Sequence, residues 1–335
     1  MPSHTPSFES CASLTPWSGQ AGFWSKPSLM MELGGQLAVW CEAPANYSLH
    51  EPDAAGAPWL VLHGGPGGSL SAAHVAPLRS TGVPWFGFDQ RNSGLSEDLD
   101  LSQLDFQRFL DDALDIADRL EVERFHVLGG SWGATLAMGL AAYRPKRVIS
   151  LVLRAPFIPM QARVDAFFAQ MERLSPEYFA AFFGEGARTL SICHAVLHAA
   201  PEQALALCKA WRNLELALLT GRPWARLESQ PFYTDVQELQ LLRKYRLQSH
   251  FLKHGCFVDG NDWNRMLLQL QAAQCPLSIV QGEADQVCPP GGAAMLAEML
   301  VHCTLVKLPD VGHLPDSPGM IQAIARQVDR HRQVV

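Results

Sequence analysis

Short runs of consecutive apolar residues alternate along the chain with longer segments in which apolar residues recur every three or four positions. The runs are typical of strands buried on both faces of a parallel sheet, and the longer segments are typical of helices that cover it. In the segment 105–120, for example, Phe106, Phe109, Leu110 and Ala113 share one helical face. The predicted strands cover 59–62, 83–88, 125–128, 148–153, 277–280 and 304–308. This alternation predicts an α/β fold, with a mostly parallel sheet and helices on both faces.

Two segments depart from the alternation. Residues 29–41 carry Gly34-Gly35 in their middle, which predicts a β-hairpin at an edge of the sheet. From 157 to 260, helical patterns follow one another without a strand, over 161–174, 176–183, 187–197, 201–219 and 235–253. We therefore expect an all-helical cap domain, 157–260, inserted into a core formed by 21–156 and 261–335.

The composition of the chain disfavours several kinds of partner. The chain has 335 residues, enough for one large domain with an insertion, and its 26 basic and 33 acidic residues give a net charge of −7. This balance, without a basic block, argues against a nucleic-acid surface and against anionic membranes, and it does not favour acidic substrates either. No segment reaches the roughly 18 apolar residues that a membrane span needs. No phosphate-binding loop or dinucleotide motif indicates a cofactor.

The N-terminus and the cysteines bear on location and redox state. Residues 1–20 are rich in Ser, Pro and Thr and lack the basic start and apolar run of a signal peptide, so we expect a flexible tail and a cytoplasmic protein. The cysteines are scattered without the spacing of a zinc site, which predicts free thiols and no metal centre. They stand at positions 11, 41, 193, 208, 256, 275, 288 and 303.

The main candidate for chemistry is Ser131, which stands between the predicted strand 125–128 and the start of a helix rich in small residues. It fits the pattern Gly-x-Ser-x-Gly, with Gly129 and Gly133 at the positions where a strained strand-to-helix turn leaves no room for a Cβ. A chance match in a chain with 26 glycines is the alternative. The strand before the motif and the helix after it favour a nucleophilic serine.

A nucleophilic serine needs a base, and the base needs an orienting carboxylate. Two loops in the C-terminal part of the chain supply both. Asp285 follows the predicted strand 277–280, and His313 follows the predicted strand 304–308. The order Ser, Asp, His along the chain is the order expected of an α/β-hydrolase. Glu283 and Asp310 compete for the carboxylate role, and we prefer Asp285 because it lies furthest past the end of its strand.

The segment 63–68, His-Gly-Gly-Pro-Gly-Gly, directly follows the buried strand 59–62. A flexible turn is one interpretation of its four glycines. The other is an oxyanion-hole loop, because α/β-hydrolases take one N–H donor from a glycine-rich loop after an early strand. The predicted donors are the backbone N–H groups of Gly65 and of Trp132, the residue after the nucleophile.

Together, these motifs resemble those of the proline iminopeptidase family in the α/β-hydrolase superfamily. The resemblance covers about residues 22–328. Its segments keep the family's order and are 63–68, 89–96, 129–136, 282–289 and 312–313. The resemblance implies a Ser-Asp-His hydrolase that removes an N-terminal proline and needs neither cofactor nor metal.

The resemblance also implies residues that bind the substrate. In the family, cap carboxylates bind the free α-amine, and Glu215 matches one of them, whereas Gln248 replaces the other. Phe157 matches an aromatic residue of the proline pocket, and Leu252 replaces a Phe there. Glu215 lies on an otherwise apolar helical stripe, so it needs a partner, either an arginine of the cap or an incoming ammonium.

We therefore expect a serine aminopeptidase or amino-acid amidase that acts on a small peptide or amino-acid amide through an acyl-enzyme. The alternative is an esterase or other acyl hydrolase with the same triad and no free-amine requirement. A binding protein on this fold would be expected to lack a triad residue, and none is missing. The sequence leaves the natural substrate and the oligomeric state open.

Overall fold

A computed structural model describes residues 7–13, 26–45, 47–49, 56–221 and 233–333 of the chain. Within these residues, one sheet contains eight strands in the order β1-β2-β4-β3-β5-β6-β7-β8. The strands are β1 Leu29–Glu32, β2 Gln36–Glu42, β3 Trp59–Leu62, β4 Trp85–Phe88, β5 Phe125–Gly130, β6 Val148–Arg154, β7 Leu277–Gly282 and β8 Cys303–Leu308. From β4 to β8 all neighbours are parallel, as the sequence predicts.

The hairpin predicted over 29–41 is also confirmed, because β1 and β2 pair antiparallel with Leu29 opposite Val39. The strand β2 in turn pairs antiparallel with β4, with Val39 opposite Phe88. The hairpin thus extends one edge of an otherwise parallel sheet.

Helices cover both faces of the sheet, because successive side chains of each strand point to opposite sides. Along β3, Leu60 and Leu62 belong to the core on one face, whereas Trp59 and Val61 belong to the core on the other. The helices α2 (Ala72–Thr81) and α12 (Pro318–Arg332) pack on the face of Trp59. On the face of Leu60 lie α3 (Phe106–Arg119), α4 (Trp132–Tyr143), α10 (Gly260–Ala273) and α11 (Pro290–Met299).

Within its described residues, the segment 157–260 contains helices, the loops between them and no strand, as its sequence predicts. Its described residues form α5 Gln161–Leu174, α6 Pro176–Phe183, α7 Thr189–His198, α8 Pro201–Thr220 and α9 Asp235–Lys253. Residues 222–232, between α8 and α9, lie outside the described residues. Apolar side chains of α8 and α9, such as Trp211 and Tyr245, are fully buried. We call this segment the cap.

The N-terminal segment differs from its prediction. Residues 8–13 form a helix, α1 (Phe8–Ser13), and Phe8 is buried against the rings of Tyr47 and Phe86. The prediction of a flexible tail is therefore wrong for residues 8–13, because an aromatic side chain anchors this helix to the core. The rest of 1–20 lies outside the described residues, apart from Ser7.

The prediction that all cysteines are free thiols is also wrong. Cys11 of α1 and Cys41 of β2 form a disulfide, with Cα atoms 5.7 Å apart. The packing of α1 on the sheet brings these two residues within the distance that a disulfide spans. Disulfides are typical of oxidising compartments. The cytoplasmic location stays a prediction.

Within the described residues, no helix combines the length and the apolar character that a membrane span requires.

Candidate active site

Ser131 occupies a strained turn between β5 and α4. Its φ is 55° and its ψ is −120°, a conformation that residues with a Cβ rarely adopt. A Cβ on Gly133 would overlap the carbonyl oxygen of Leu62, and one on Gly129 would overlap the carbonyl of Gly133. Glycines at these two positions therefore let β5, α4 and β3 approach closely enough to form the turn.

The structure brings Asp285 and His313 together. The Nδ1 atom of His313 donates to Oδ2 of Asp285 at 2.7 Å, and both side chains are buried. The other carboxylate oxygen accepts the backbone N–H groups of Val287 and Cys288, each at 2.8 Å. These bonds fix the carboxylate, which in turn fixes the ring orientation and tautomer of His313.

The alternative carboxylates are placed differently. Glu283 and Asp310 are both exposed, whereas Asp285 is only 4% exposed. The loops after β7 and β8 contact each other at Gly282, where a Cβ would overlap the carbonyl oxygen of Val311. Of the three candidates that the sequence offers, Asp285 is the one that the fold pairs with His313.

Ser131 and His313 both line a cavity of about 820 Å³ between the sheet edge and the cap. Within the described residues, the hydroxyl of Ser131 contacts Sγ of Cys288 at 3.9 Å, and no hydrogen bond to His313 is formed. Catalytic hydrogen bonds often close only in the substrate complex. Burial, with the charge of Asp285 adding to it, raises the pKa of the Cys288 thiol, so this neighbour stays protonated and is a poor nucleophile.

The predicted oxyanion-hole residues lie at the same place. Gly65 lines the cavity, and a Cβ on its neighbour Gly64 would lie 3.2 Å from Cβ of Ser131. Gly65 has a φ of +135°, which favours glycine. Trp132 is the first residue of α4, where the backbone N–H has no partner within the helix. Both amides thus border the nucleophile, although their role as donors stays a prediction.

A buried hydrogen-bond network that the sequence analysis missed joins the glycine loop to the Ser131 turn. The backbone N–H of Gln90 donates to Nε2 of His63 at 3.0 Å, and Nε1 of Trp132 donates to Oε1 of Gln90 at 3.1 Å. Burial lowers the pKa of His63 to about 4, so the ring is neutral and its Nδ1–H donates to the carbonyl of Gly64. Polar residues directly after β3 and β4 are the sequence signal for this network.

Arg154 is a second residue that the sequence analysis missed. It ends β6, is 4% exposed, and its guanidinium donates to the backbone carbonyl of His313. A Cβ on Gly130 would lie 2.5 Å from Nη2 of Arg154, so glycine at this position makes room for the side chain. Arg154 therefore holds the loop of His313 to the strand that neighbours the Ser131 turn. In the sequence, Arg154 could have been found as a single charged residue at the end of an otherwise apolar strand.

Glu215 lines the cavity, and the partner that the structure gives it within the chain is a lysine and not an arginine. The Nζ atom of Lys244 donates to Oε2 of Glu215 at 2.6 Å, and the hydroxyl of Tyr245 donates to the same oxygen at 2.7 Å. Burial alone would raise the pKa of Glu215, but these two partners and the charge of Arg212 lower it overall. Glu215 is therefore an ionised carboxylate that an internal lysine neutralises.

The other predicted substrate-binding residues, Gln248, Phe157 and Leu252, also line the cavity. Gln248 is 8% exposed, and its Oε1 atom is buried without a hydrogen-bond partner among the described residues. The ring of Phe157 lies 6.3 Å from that of Trp132. The fold thus brings all four residues, from α8, α9 and the segment after β6, to the cavity that contains Ser131.

The described residues contain no group of three or more His, Cys, Asp or Glu side chains arranged to hold a metal ion.

Comparison with known proteins assigns this chain to a family. The sequence profile of the alpha/beta hydrolase fold matches residues 58–315. A proline iminopeptidase of Xanthomonas citri is 29% identical over 284 residues, which cover 82% of this chain and 88% of that protein. A probable proline iminopeptidase of Leptolyngbya boryana is 27% identical over 291 residues, covering 82% of this chain and 87% of that protein. The resemblance seen in the motifs is thus found over most of the chain.

Solved structures agree with the fold. A proline iminopeptidase-related protein of Thermus thermophilus superposes with a TM-score of 0.57 at 22% identity, over 95% of this chain and all of that one. An alpha/beta hydrolase from a deep-sea metagenome of the Medee basin superposes with a TM-score of 0.56 at 14% identity, over 90% of this chain and 96% of that one. At these identities the likeness concerns the fold alone.

Proposed function

Since this chain belongs to the alpha/beta hydrolase family, we propose that it is a serine hydrolase that cleaves an amide or ester bond of a small substrate through an acyl-enzyme on Ser131. One observation carries the proposal: the cavity that contains the Ser131 turn also contains His313, whose ring is held by the buried Asp285 at 2.7 Å.

The proposed chemistry follows from these positions. His313 takes the proton of the Ser131 hydroxyl as the oxygen attacks the substrate carbonyl, and Asp285 stabilises the imidazolium that forms. The backbone N–H groups of Gly65 and Trp132 bind the oxyanion, where one such donor contributes about 3 kcal/mol of transition-state stabilisation. The leaving group departs with the proton from His313, and water then hydrolyses the acyl-enzyme by the same route.

The names of the curated relatives support one form of this activity, the release of a small N-terminal residue, with proline as the residue that the resemblance implies. In this form Glu215 binds the free α-amine of the substrate. Phe157 and Leu252 then line the pocket of the released residue. Gln248 supplies a neutral hydrogen-bonding group where the family has a second carboxylate.

A specific observation favours a second form, an acyl hydrolase that needs no free amine. The ammonium of Lys244 already occupies the carboxylate of Glu215, at 2.6 Å, and Gln248 adds no charge. A substrate amine would have to displace an internal ion pair. The two forms share the triad and the acyl-enzyme, and they differ in the group that the cap recognises.

Labelling with a fluorophosphonate, which reacts with activated serines, tests the shared chemistry. We expect the wild-type protein to be labelled at Ser131 and the Ser131→Ala variant to be unlabelled. The variant should retain less than about a thousandth of the hydrolysis rate, since substrate binding and the oxyanion hole alone supply only a small part of the rate enhancement. Cys288→Ala serves as the control and should keep the label. A Ser131→Ala variant that hydrolyses as fast as wild type would disprove the proposal.

A pair of arylamides then separates the two forms. Proline or alanine 4-nitroanilide carries a free amine, and its N-acetyl derivative does not. A fall in kcat/KM of more than about tenfold on acetylation indicates amine recognition, because a charge-assisted hydrogen bond contributes roughly ten- to a hundredfold. Similar rates for the two compounds indicate the acyl hydrolase.

A further inference from the structure

The cavity that contains Ser131 carries more positive than negative charge, although the chain as a whole carries −7. Among the described residues that line it, five are basic and two are acidic, leaving the histidines aside. They are Arg154, Arg163, Arg212, Arg243 and Lys244 on the one hand, and Asp89 and Glu215 on the other. A cleft lined by one sign of charge attracts ligands of the opposite sign.

Two of the basic residues have carboxylate partners. The guanidinium of Arg243 donates to both oxygens of Asp98, each at 2.9 Å, and Lys244 is paired with Glu215. These pairs are neutral overall. They leave little attraction for either an anion or a cation at their own positions.

Arg154 and Asp89 also have structural partners. Arg154 donates to the carbonyl of His313, as described above. Asp89 accepts the backbone N–H groups of Leu70 at 2.7 Å and of Leu95 at 2.8 Å. Burial raises the pKa of Asp89 to about 6, which reduces the negative charge that this carboxylate brings to the cavity at mildly acidic pH.

Arg163 and Arg212 are different, because neither forms an ion pair with a described residue. Nη2 of Arg163 contacts Sδ of Met295 at 3.6 Å, and sulfur is a weak acceptor. Arg212 lies on α8 and lines the cavity, three residues before Glu215, whose carboxylate is taken by Lys244 and Tyr245. Both residues are half-buried, and although the charge of Arg212 acts on Glu215, neither guanidinium is engaged in an ion pair with a described residue.

The position of Gln248 adds to this imbalance. It lies on α9, one helical turn after Lys244, where the resemblance implies a carboxylate. An amide in its place removes a negative charge from the wall that carries Lys244. Among the described residues, the cap wall of the cavity therefore carries less negative charge than the resemblance implies.

We propose that this cavity binds a carboxylate group of the substrate, and that Arg163 and Arg212 are the residues that recognise it. A planar guanidinium binds a carboxylate through two parallel hydrogen bonds, which makes arginine suited to this task. The inference rests on the serine hydrolase proposed above and applies to both of its forms. The carboxylate belongs to the acyl part of the substrate or to its leaving group, such as the C-terminus of a dipeptide.

Two matched pairs of compounds test the proposal at each position of the carboxylate. In the acyl part, N-succinyl-alanine 4-nitroanilide is compared with the same anilide in which the succinyl carboxylate is a carboxamide. In the leaving group, the dipeptide Pro-Ala is compared with its C-terminal amide. We expect a kcat/KM at least about tenfold higher for the carboxylate in one of the pairs, the factor that one charge-assisted hydrogen bond supplies.

The variants Arg163→Gln and Arg212→Gln identify the residue responsible. Each is expected to lower the ratio of carboxylate to carboxamide rates, with the larger fall at the residue that contacts the carboxylate. Arg265→Gln is the control, because this arginine lies on α10 with a side chain 62% exposed, and the variant should leave the ratio unchanged. The ratio compares two neutral-pH rates of the same variant, so a change in folding alone does not move it.

The outcomes distinguish this inference from the proposed function. Equal or lower rates for the carboxylates in both pairs, with Ser131 still labelled by fluorophosphonate, would overturn carboxylate recognition and leave the hydrolase standing. Failure of Ser131 labelling would overturn the hydrolase. Calorimetric titration of the Ser131→Ala variant with both compounds of each pair measures their affinities independently of turnover. Tighter binding of the carboxylate compound than of its carboxamide supports carboxylate recognition, and equal binding contradicts it.

Discussion

The ammonium of Lys244 lies 2.6 Å from a carboxylate oxygen of Glu215, and both residues line the cavity that contains Ser131. The pair joins α8 to α9 and is only partly exposed, at 9% for the side chain of Glu215 and 25% for that of Lys244. The aminopeptidase form of the proposed activity needs this carboxylate for a substrate amine, and here a lysine of the chain itself binds it.

Replacing Lys244 by Met should release Glu215 for a substrate amine. We expect the Lys244→Met variant to raise kcat/KM for alanine 4-nitroanilide relative to its N-acetyl derivative by about tenfold, because the carboxylate regains a free hydrogen-bonding position. Steady-state kinetics with the two anilides measures the change. An unchanged ratio would show that Glu215 does not contact the substrate amine.

A second ion pair between the same helices provides the matched control. Lys209 of α8 lies 2.6 Å from Glu238 of α9, with side chains about equally exposed. The Lys209→Met variant should leave the anilide ratio unchanged, since this pair is not among the residues that line the cavity.

Gly64 determines how closely the glycine loop approaches the nucleophile. A Cβ there would lie 3.2 Å from Cβ of Ser131 and 3.4 Å from the carbonyl oxygen of Gly130. We expect Gly64→Ala to lower kcat at least tenfold, since displacements of about 1 Å at a reacting centre cost up to a hundredfold. KM and thermal stability should change much less. Gly260→Ala is the control, because nothing lies within 4 Å of its added Cβ, and equal rates for the two variants would contradict the prediction.

Buried histidines should make the protein less stable in acid. Burial lowers the pKa of His126 from 6.5 to about 3, and this ring contacts Oγ of Ser150 at 2.7 Å. Between these two pH values the unfolded chain binds the proton and the folded chain does not, so stability falls as the pH falls below about 6.5. At pH 4 this group alone lowers the free energy of unfolding by about 3 kcal/mol.

Urea unfolding at several pH values measures this dependence. The His126→Gln variant, which does not titrate, should show a shallower loss of stability between pH 6.5 and 4. The Asp89→Asn variant should show a steeper loss of stability as the pH falls. Burial raises the pKa of Asp89 to about 6, so below this pH the folded wild-type chain gains stability by binding a proton that the variant cannot bind. A slope that is the same in wild type and His126→Gln would count against the neutral histidine.

The disulfide between Cys11 and Cys41 should stabilise the whole domain. The two cysteines are 30 residues apart in sequence, and a crosslink that closes a loop of this length contributes about 3 to 4 kcal/mol. We expect the Cys11→Ser variant and the reduced wild-type protein to lose stability by this amount in urea unfolding. Cys303→Ser, at a half-buried free cysteine, is the control. A wild-type unfolding midpoint that reductant does not move would contradict the crosslink.

Much of the architecture followed from local patterns. The parallel strands, the edge hairpin and the five predicted helices of the cap correspond to segments whose apolar periodicity is visible in the sequence. Periodicity is a property of neighbouring residues, so a short window contains it. The pairing of His313 with Asp285 was also foreseeable, because residues that follow parallel strands meet at one edge of the sheet.

By itself, then, the sequence determined the fold class, the strained turn at Ser131 and the order of the candidate triad. Only the tertiary structure decided the partner of Glu215, the crosslink of Cys11 and the role of Arg154 behind His313. These contacts join residues separated by 29, 30 and 159 positions. Such pairs depend on the packing of α8 against α9, of α1 against β2 and of β6 against the loop after β8, and no periodicity within one segment encodes the side chain that another segment brings to it.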